Sequence, residues 1–295
     1  MNQDDIYELL ERAYESEDAE EIEELAERAL ELDPGNPEAL MLKADLTEDD
    51  GERLPILEKA LEKAREYLDE ENLSEENLLE DDMGLVYLGI LQRTAYTLFS
   101  LEEDDRSLKM VEELLRYDHE DLAMAKTLYY RILLEREEWT RVLEETMKDT
   151  VRGLGWIYAK MIATFMSGNK TGKSAANNEQ LDKMLWYAIR MAPNVPFYML
   201  GYFPDPVDDS EGEEDDFHFG LLFEGVCTIS RDLLNWFSKA TILFGLLTGR
   251  FGEESDDMKE ILGALGGTSD YEMLVDKVAN ASDDGAVLDI LAAGN

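Results

Sequence analysis

The sequence is poor in the residues that mark disulfide-bonded or loop-rich proteins. Its one cysteine, Cys227, excludes a disulfide within the chain and fits a reducing compartment. Only seven prolines and 20 glycines occur among the 295 residues. The segment Met1–Glu8 is polar and acidic, so we expect no signal peptide. Together these absences favour a cytoplasmic protein.

Long hydrophobic runs are also missing. The longest, near Ala240–Leu247, is far shorter than the ~20 apolar residues that a membrane-spanning helix needs. We therefore expect no transmembrane segment. The hydrophobic fraction is nevertheless 44%, which is enough to bury a full core, so we do not expect disorder.

Positive charge is scarce. The chain has 27 Lys and Arg against 69 Asp and Glu, a net charge of −42. Such a chain repels phosphates and gains no counterion release, which argues against nucleic acid and against anionic membranes as partners. A basic protein partner is favoured, and a surface adapted to high salt is the alternative. Residues 1–80 hold 29 acidic and seven basic residues, and their sum of −22 is half the total.

A helix–break–helix pattern occupies residues 19–46. Apolar residues recur three and four apart, as on one face of a helix, before and after the break Asp33-Pro34-Gly35-Asn36-Pro37. Pro34 ends the first helix and Pro37 suits the first turn of the next. The apolar positions are Ile22, Ala26 and Ala29 before the break, and Leu40 and Ala44 after it.

This segment resembles a tetratricopeptide repeat, whose second helix has a small–large–small face followed by a proline. A second, shorter copy lies in residues 181–196, and the run PNVPFYMLGYF that begins there is similar to the suppressor of tumorigenicity 7 group. The resemblance implies a right-handed superhelix whose concave side is lined by the first helix of each pair. The family's Trp, Leu-Gly and Tyr signature is absent from 40–50, and the carboxylate-clamp pattern of chaperone adaptors is absent throughout. The matching positions are Ile22, Ala26, Ala29, Pro34, Leu40 and Ala44, then Leu181, Leu185, Ala188 and Pro193.

Helical spacing continues along the chain, and no alternating strand pattern is convincing. We predict an all-α fold: a tetratricopeptide-like α-α superhelix, or solenoid, over 1–203, with a helical C-terminal region, 217–295, that packs on it or caps it. The intervening segment 204–216 holds eight carboxylates and is predicted as an acidic loop. Predicted helices are Leu57–Leu68, Leu85–Leu101, Leu108–Tyr117, Leu122–Leu134, Trp139–Met147, Gly153–Met166 and Glu179–Met191.

No motif predicts catalysis, a cofactor or a metal site. The segment Ser167–Ser174 approaches a phosphate-binding loop, but it lacks the first glycine, and a helix precedes it where the motif needs a strand. We interpret it as a loop between helices. His119, His218 and Cys227 have no partner pattern, and metal-ligand spacings are missing. The acidic loop does not follow calcium-loop spacing, because Val207 stands five residues before Gly212.

Residues 151–200 differ from the rest of the chain. They hold six basic residues against Glu179 and Asp182, a sum of +4, and seven Trp, Tyr and Phe residues. Cations beside aromatic rings can hold an acidic or phosphorylated ligand. The alternative is that the rings are core and the cations pair with 208–216. The predicted ligand-binding residues are Lys160, Lys170, Lys173, Trp156 and Tyr187.

The leading hypothesis is a non-enzymatic scaffold of helical repeats that binds a protein or peptide, with no nucleic acid or membrane partner. The alternative is an acidic inhibitor or immunity-type protein that covers a basic protein surface. A nucleotide-using enzyme at Ser167–Ser174 is the third reading. The oligomeric state and the identity of the partner are left open.

Overall fold

A computed structural model describes residues 3–68, 78–79, 81–118, 124–170, 179–206 and 213–293, and its described residues form helices, turns and loops without a strand. The chain divides into two compact units, Met1–Ile132 and Leu133–Asn295. The all-helical prediction is confirmed for this part of the chain.

The first unit contains α1 to α6 and most of α7, in which the boundary between the units falls. From α1 to α4, each helix packs on the next, α4 packs on α5, and α5 on α6. The helices are α1 (Gln3–Glu15), α2 (Ala19–Leu32), α3 (Pro37–Asp45), α4 (Asp50–Tyr67), α5 (Asp82–Ser100), α6 (Asp104–Leu114) and α7 (Ala125–Glu135).

The break between α2 and α3 forms as the prolines and polar residues predict. Asp33 Oδ1 accepts the N–H of Gly35 at 3.0 Å, and Asn36 Oδ1 accepts the N–H of Ala39 at 2.9 Å. Asn36 therefore caps α3, and Pro37 occupies the first turn, where its missing N–H costs little. Small residues on the facing surfaces, including Ala29 and Ala39, are fully buried and allow close helix packing.

Helix α4 begins seven residues before the predicted start at Leu57. Asp49 caps it by accepting the N–H of Glu52 at 2.9 Å. Pro55 lies inside the helix, near its beginning, so the helix loses one backbone hydrogen bond there. The prediction was wrong at this end because Gly51 and Pro55 are residues that usually interrupt helices, and they hid the signal of the capping residue Asp49.

The second unit is arranged around α13, whose apolar side chains are mostly buried. Helix α13 packs on α9, α14, α15 and α16, and α16 also packs on α10. Gly245 on α13 leaves room for the ring of Phe251, which a Cβ at this position would overlap. The helices are α8 (Trp139–Lys148), α9 (Leu154–Lys170), α10 (Glu179–Met191), α11 (Val195–Met199), α12 (Glu213–Leu222), α13 (Arg231–Leu247), α14 (Ser255–Ala264), α15 (Thr268–Val278) and α16 (Asp284–Ala292).

Aromatic rings form the centre of the second unit. The ring of Tyr158 lies between 5.6 and 6.2 Å from the rings of Phe219, Phe223 and Phe237. Tyr158 lies on α9, Phe219 on α12, Phe237 on α13, and Phe223 directly after the end of α12. The contacts therefore join 154–170 to the C-terminal region. Helix α12 begins at Glu213, and it therefore includes the last four residues of the predicted acidic loop 204–216.

Candidate functional site

Two of the side chains predicted to bind a ligand, Trp156 and Lys160, lie together near the beginning of α9. Trp156 is half-buried, and its Nε1–H donates to the carbonyl oxygen of Thr146 in α8 at 2.9 Å. The Lys160 Nζ lies 4.4 Å from the centre of the indole ring, and the Arg152 Cζ lies 5.3 Å from it. We call Arg152, Trp156 and Lys160 the Trp156 cluster. Trp156 and Lys160 lie one turn apart on α9, and Arg152 precedes the first residue of the helix by two positions.

The two cations of the Trp156 cluster form no ion pair with any described residue. The other described cations of this stretch are paired: Lys183 with Glu179, and Arg190 with Asp289 at 2.5 Å. Positive charge at Arg152 and Lys160 is therefore available to a ligand. The positive charges of Lys183 and Arg190 on α10 are instead paired with carboxylates of the same molecule.

Of the remaining predicted ligand residues, only Tyr187 has a described side chain, and it does not join this cluster. Tyr187 is 57% exposed on α10 and forms neither a ring contact nor a hydrogen bond with Trp156. Lys170 ends α9, but its side chain lies outside the described residues, as does Lys173. Tyr187 was grouped with Trp156 because the two are near in the sequence, but they lie on different helices, α10 and α9.

The phosphate-loop-like segment begins inside a helix. Ser167–Lys170 form the last turn of α9, and residues 171–178 lie outside the described part of the chain. A phosphate-binding loop places its backbone N–H groups between a strand and the start of a helix, so the helical turn at Ser167 is incompatible with its first half.

We expect Mg-ATP and Mg-GTP not to bind at micromolar concentration, because this segment lacks both the first glycine and the preceding strand. Titration calorimetry is the direct measurement, with EDTA in place of magnesium as the control. A saturable heat signal that Lys173→Ala abolishes would overturn this expectation and support a nucleotide-using enzyme.

A second candidate site is a cavity of about 300 Å³ between α10, α13, α15 and α16. Two indoles, Trp186 and Trp236, and several aliphatic side chains provide its apolar surface. Its volume is at the lower end of the range found for ligand pockets. The lining residues are Glu179, Asp182, Lys183, Trp186, Trp236, Lys239, Ala240, Leu243, Asp270, Leu274, Ile290, Leu291 and Ala292.

The polar groups of this cavity are connected in pairs. The Trp236 Nε1–H donates to Asp182 Oδ1 at 2.9 Å, and Lys239 Nζ lies 2.5 Å from Asp270 Oδ2. Burial raises the pKa of the Asp182 carboxyl, while the Trp236 hydrogen bond and the nearby Lys239 act in the opposite direction. The carboxylate is therefore held in a partly desolvated place at the edge of an aromatic wall.

Sequence reasoning missed this cavity. Trp186 was counted among the aromatic residues of 151–200, but Trp236 and Asp270 lie far along the chain, on α13 and α15. The only local signal was the spacing of Asp182 and Trp186, which places a carboxylate and an indole one turn apart on α10.

The residues considered for nucleophilic chemistry do not form a described site. Cys227 is 1% exposed, and burial raises the pKa of its thiol well above the usual range, which disfavours the thiolate. His218 is exposed on α12, and His119 lies outside the described residues. Among the described residues, no group of three or more His, Cys, Asp or Glu side chains is placed to hold a metal ion.

No family model, no curated protein and no solved structure matches this chain. None of the helices in the described ranges is both long and apolar enough to cross a bilayer.

Proposed function

We propose that this chain is a non-enzymatic helical scaffold that binds a segment of another protein, and that the Trp156 cluster holds an acidic or phosphorylated group of that segment. The observation that carries the proposal is the pair of cations, Arg152 and Lys160, that share one indole and have no described carboxylate partner. The cytoplasm is the compartment we propose, on the basis of the single cysteine.

A tetratricopeptide-like superhelix is the architecture we propose for 1–203. Consecutive packing of α1 to α4 and the buried Ala29 at the second-helix position support it. In such an arrangement α9 is the first helix of its pair, and first helices face the groove. The Trp156 cluster, at the beginning of α9, then lies where a bound segment runs.

Electrostatics explains why this place suits an acidic group. The net charge of −42 repels anions, but at physiological ionic strength charges separated by more than ~8 Å are largely screened. A ligand carboxylate or phosphate close to Arg152 and Lys160 therefore responds to the charges near it rather than to the net charge of the chain. The face of Trp156 adds apolar contact, which supplies much of the affinity of an interface.

We expect the double variant Arg152→Glu/Lys160→Glu to weaken binding of acidic or phosphorylated peptides by about tenfold or more, because charge-assisted hydrogen bonds to the anion are lost and repulsion replaces them. Peptides selected from an array of phosphorylated and unphosphorylated sequences are measured by fluorescence anisotropy. The matched control is Lys148→Glu/Lys259→Glu, which makes the same change in net charge at two lysines that pair with Glu145 and Asp256. Equal loss in both double variants would contradict a local site.

The acidic-inhibitor function has its own supporting observation. Helices α1 and α2 expose a dense set of carboxylates, among them Glu20, Glu23, Glu24 and Glu27, in a unit that contains the −22 stretch. If a captured partner is lost when these four become glutamine, but persists in Arg152→Glu/Lys160→Glu, the chain covers a basic surface. A steep loss of that partner between low and moderate salt would agree with this second function.

A further inference from the structure

The cavity between α10 and α13 has the composition of a site for an organic cation. Its indoles, Trp186 and Trp236, are 7% and 8% exposed, and Leu243, Leu274 and Leu291 add aliphatic surface. Aromatic faces attract cations through the ring quadrupole, most strongly where water is excluded. The lining of the cavity therefore combines aliphatic surface with two indoles, the aromatic side chains that attract cations most strongly.

The charged groups at the cavity favour a cation over an anion. Three carboxylates and two lysines line it, and both lysines are already used: Lys183 pairs with Glu179, and Lys239 with Asp270. Asp182 pairs with no lysine within ion-pair distance. Among the described residues, its Oδ1 accepts the Trp236 N–H, and its Oδ2 accepts no hydrogen bond. Among the described lining residues, Asp182 is thus the carboxylate without a lysine partner.

We propose that this cavity binds an alkyl guanidinium or alkylammonium group, with the cationic head at Asp182 and the alkyl stem against the indoles and leucines. The volume of about 300 Å³ suits one such group rather than a cofactor. A lysine or arginine side chain of a protein segment and a free amine share this chemistry. The inference is independent of the Trp156 cluster, since no residue of that cluster lines the cavity.

The test uses n-butylguanidinium and the neutral, similarly shaped n-butylurea. The four indole N–H signals of the full chain are followed in a ¹H–¹⁵N spectrum, with each signal assigned by a Trp→Phe variant. We expect n-butylguanidinium to shift the signals of Trp186 and Trp236 saturably, and n-butylurea to bind at least about tenfold more weakly, because the neutral head gives up the charge-assisted bond. The signals of Trp139 and Trp156 are expected to stay in place.

Two variants separate the cavity from a general effect of charge. Asp182→Asn keeps an oxygen acceptor for Trp236 but removes the charge, and we expect it to weaken n-butylguanidinium binding by about tenfold or more. Ala240→Phe adds a ring to the lining while Asp182 stays unsubstituted, and it is expected to abolish the shifts by filling the cavity. Equal binding of the two probes, or unchanged affinity in both variants, would overturn the proposal. Shifts confined to Trp156 would also overturn it.

The two sources of the cation are distinguished by a third probe, the peptide acetyl-Ala-Arg-Ala-amide. Binding of this peptide at least as tight as that of n-butylguanidinium indicates a site for a side chain of a protein segment. Binding of n-butylguanidinium alone indicates a site for a free organic cation. Either result supports the cationic specificity, whereas failure of both probes rejects it. The anion-binding proposal is unaffected, because its readout is the Trp156 cluster.

Discussion

Phe237→Ala is expected to lower the free energy of unfolding of the second unit by about 3–5 kcal/mol. Phe237 is fully buried on α13, and its ring centre lies 6.2 Å from that of Tyr158 and 6.4 Å from that of Trp236. Truncation removes the transfer free energy of the ring and leaves a cavity whose aromatic neighbours cannot close it completely. Because α13 packs on four other helices, we expect the truncation to weaken the packing of those helices as well.

Tryptophan fluorescence during urea unfolding measures this effect in the second unit alone. All four tryptophans, at positions 139, 156, 186 and 236, lie between Leu133 and Asn295. The matched control is Tyr187→Ala, because Tyr187 is an aromatic residue of the same unit that is 57% exposed. We expect the control to change stability by no more than about 0.5 kcal/mol. If the two variants unfold at the same urea concentration, α13 is not the centre of this unit.

The helices could be predicted from the sequence because their signals are local. Helix α10 occupies the predicted range Glu179–Met191, and the break Asp33–Pro37 has the expected capping residues. The beginning of α4 was missed, since proline and glycine are read as helix breakers even where the preceding aspartate can cap. These outcomes depend on residues within one or two turns of each other.

The two candidate sites also differ in how far apart their residues lie in the sequence. The Trp156 cluster could be partly predicted, because Trp156 and Lys160 are one turn apart on α9 and Arg152 lies just before that helix in the sequence. The cavity at Asp182 could not, because its walls come from four helices, and only their packing brings Trp236 and Lys239 to α10. Periodicity shows that a tryptophan faces inward, but it does not show which groups lie opposite.

The last prediction concerns the two alanines that occupy the small position before a repeat-ending proline. We expect Ala29→Trp and Ala188→Trp each to cost about 1–3 kcal/mol through overpacking. Both side chains have no exposed surface, on α2 and α10. Helix α2 packs against α1 and α3, and α10 packs against α9 and α16, so an indole at either position must separate helices in contact.

Matched controls on exposed positions isolate packing from the change of residue type. Ala19, on α2, and Ala264, on α14, are exposed, so Ala19→Trp and Ala264→Trp introduce the same indole into solvent. Urea unfolding followed by circular dichroism applies to all four variants, since it does not depend on the added fluorophore. Unchanged stability in both buried variants would argue against close helix pairs at these positions, and with them against the tetratricopeptide-like superhelix. A loss of stability in Ala29→Trp alone would restrict the repeat to the first unit. The Trp156 proposal relies on a groove formed by repeats, and it would then need a groove of another architecture.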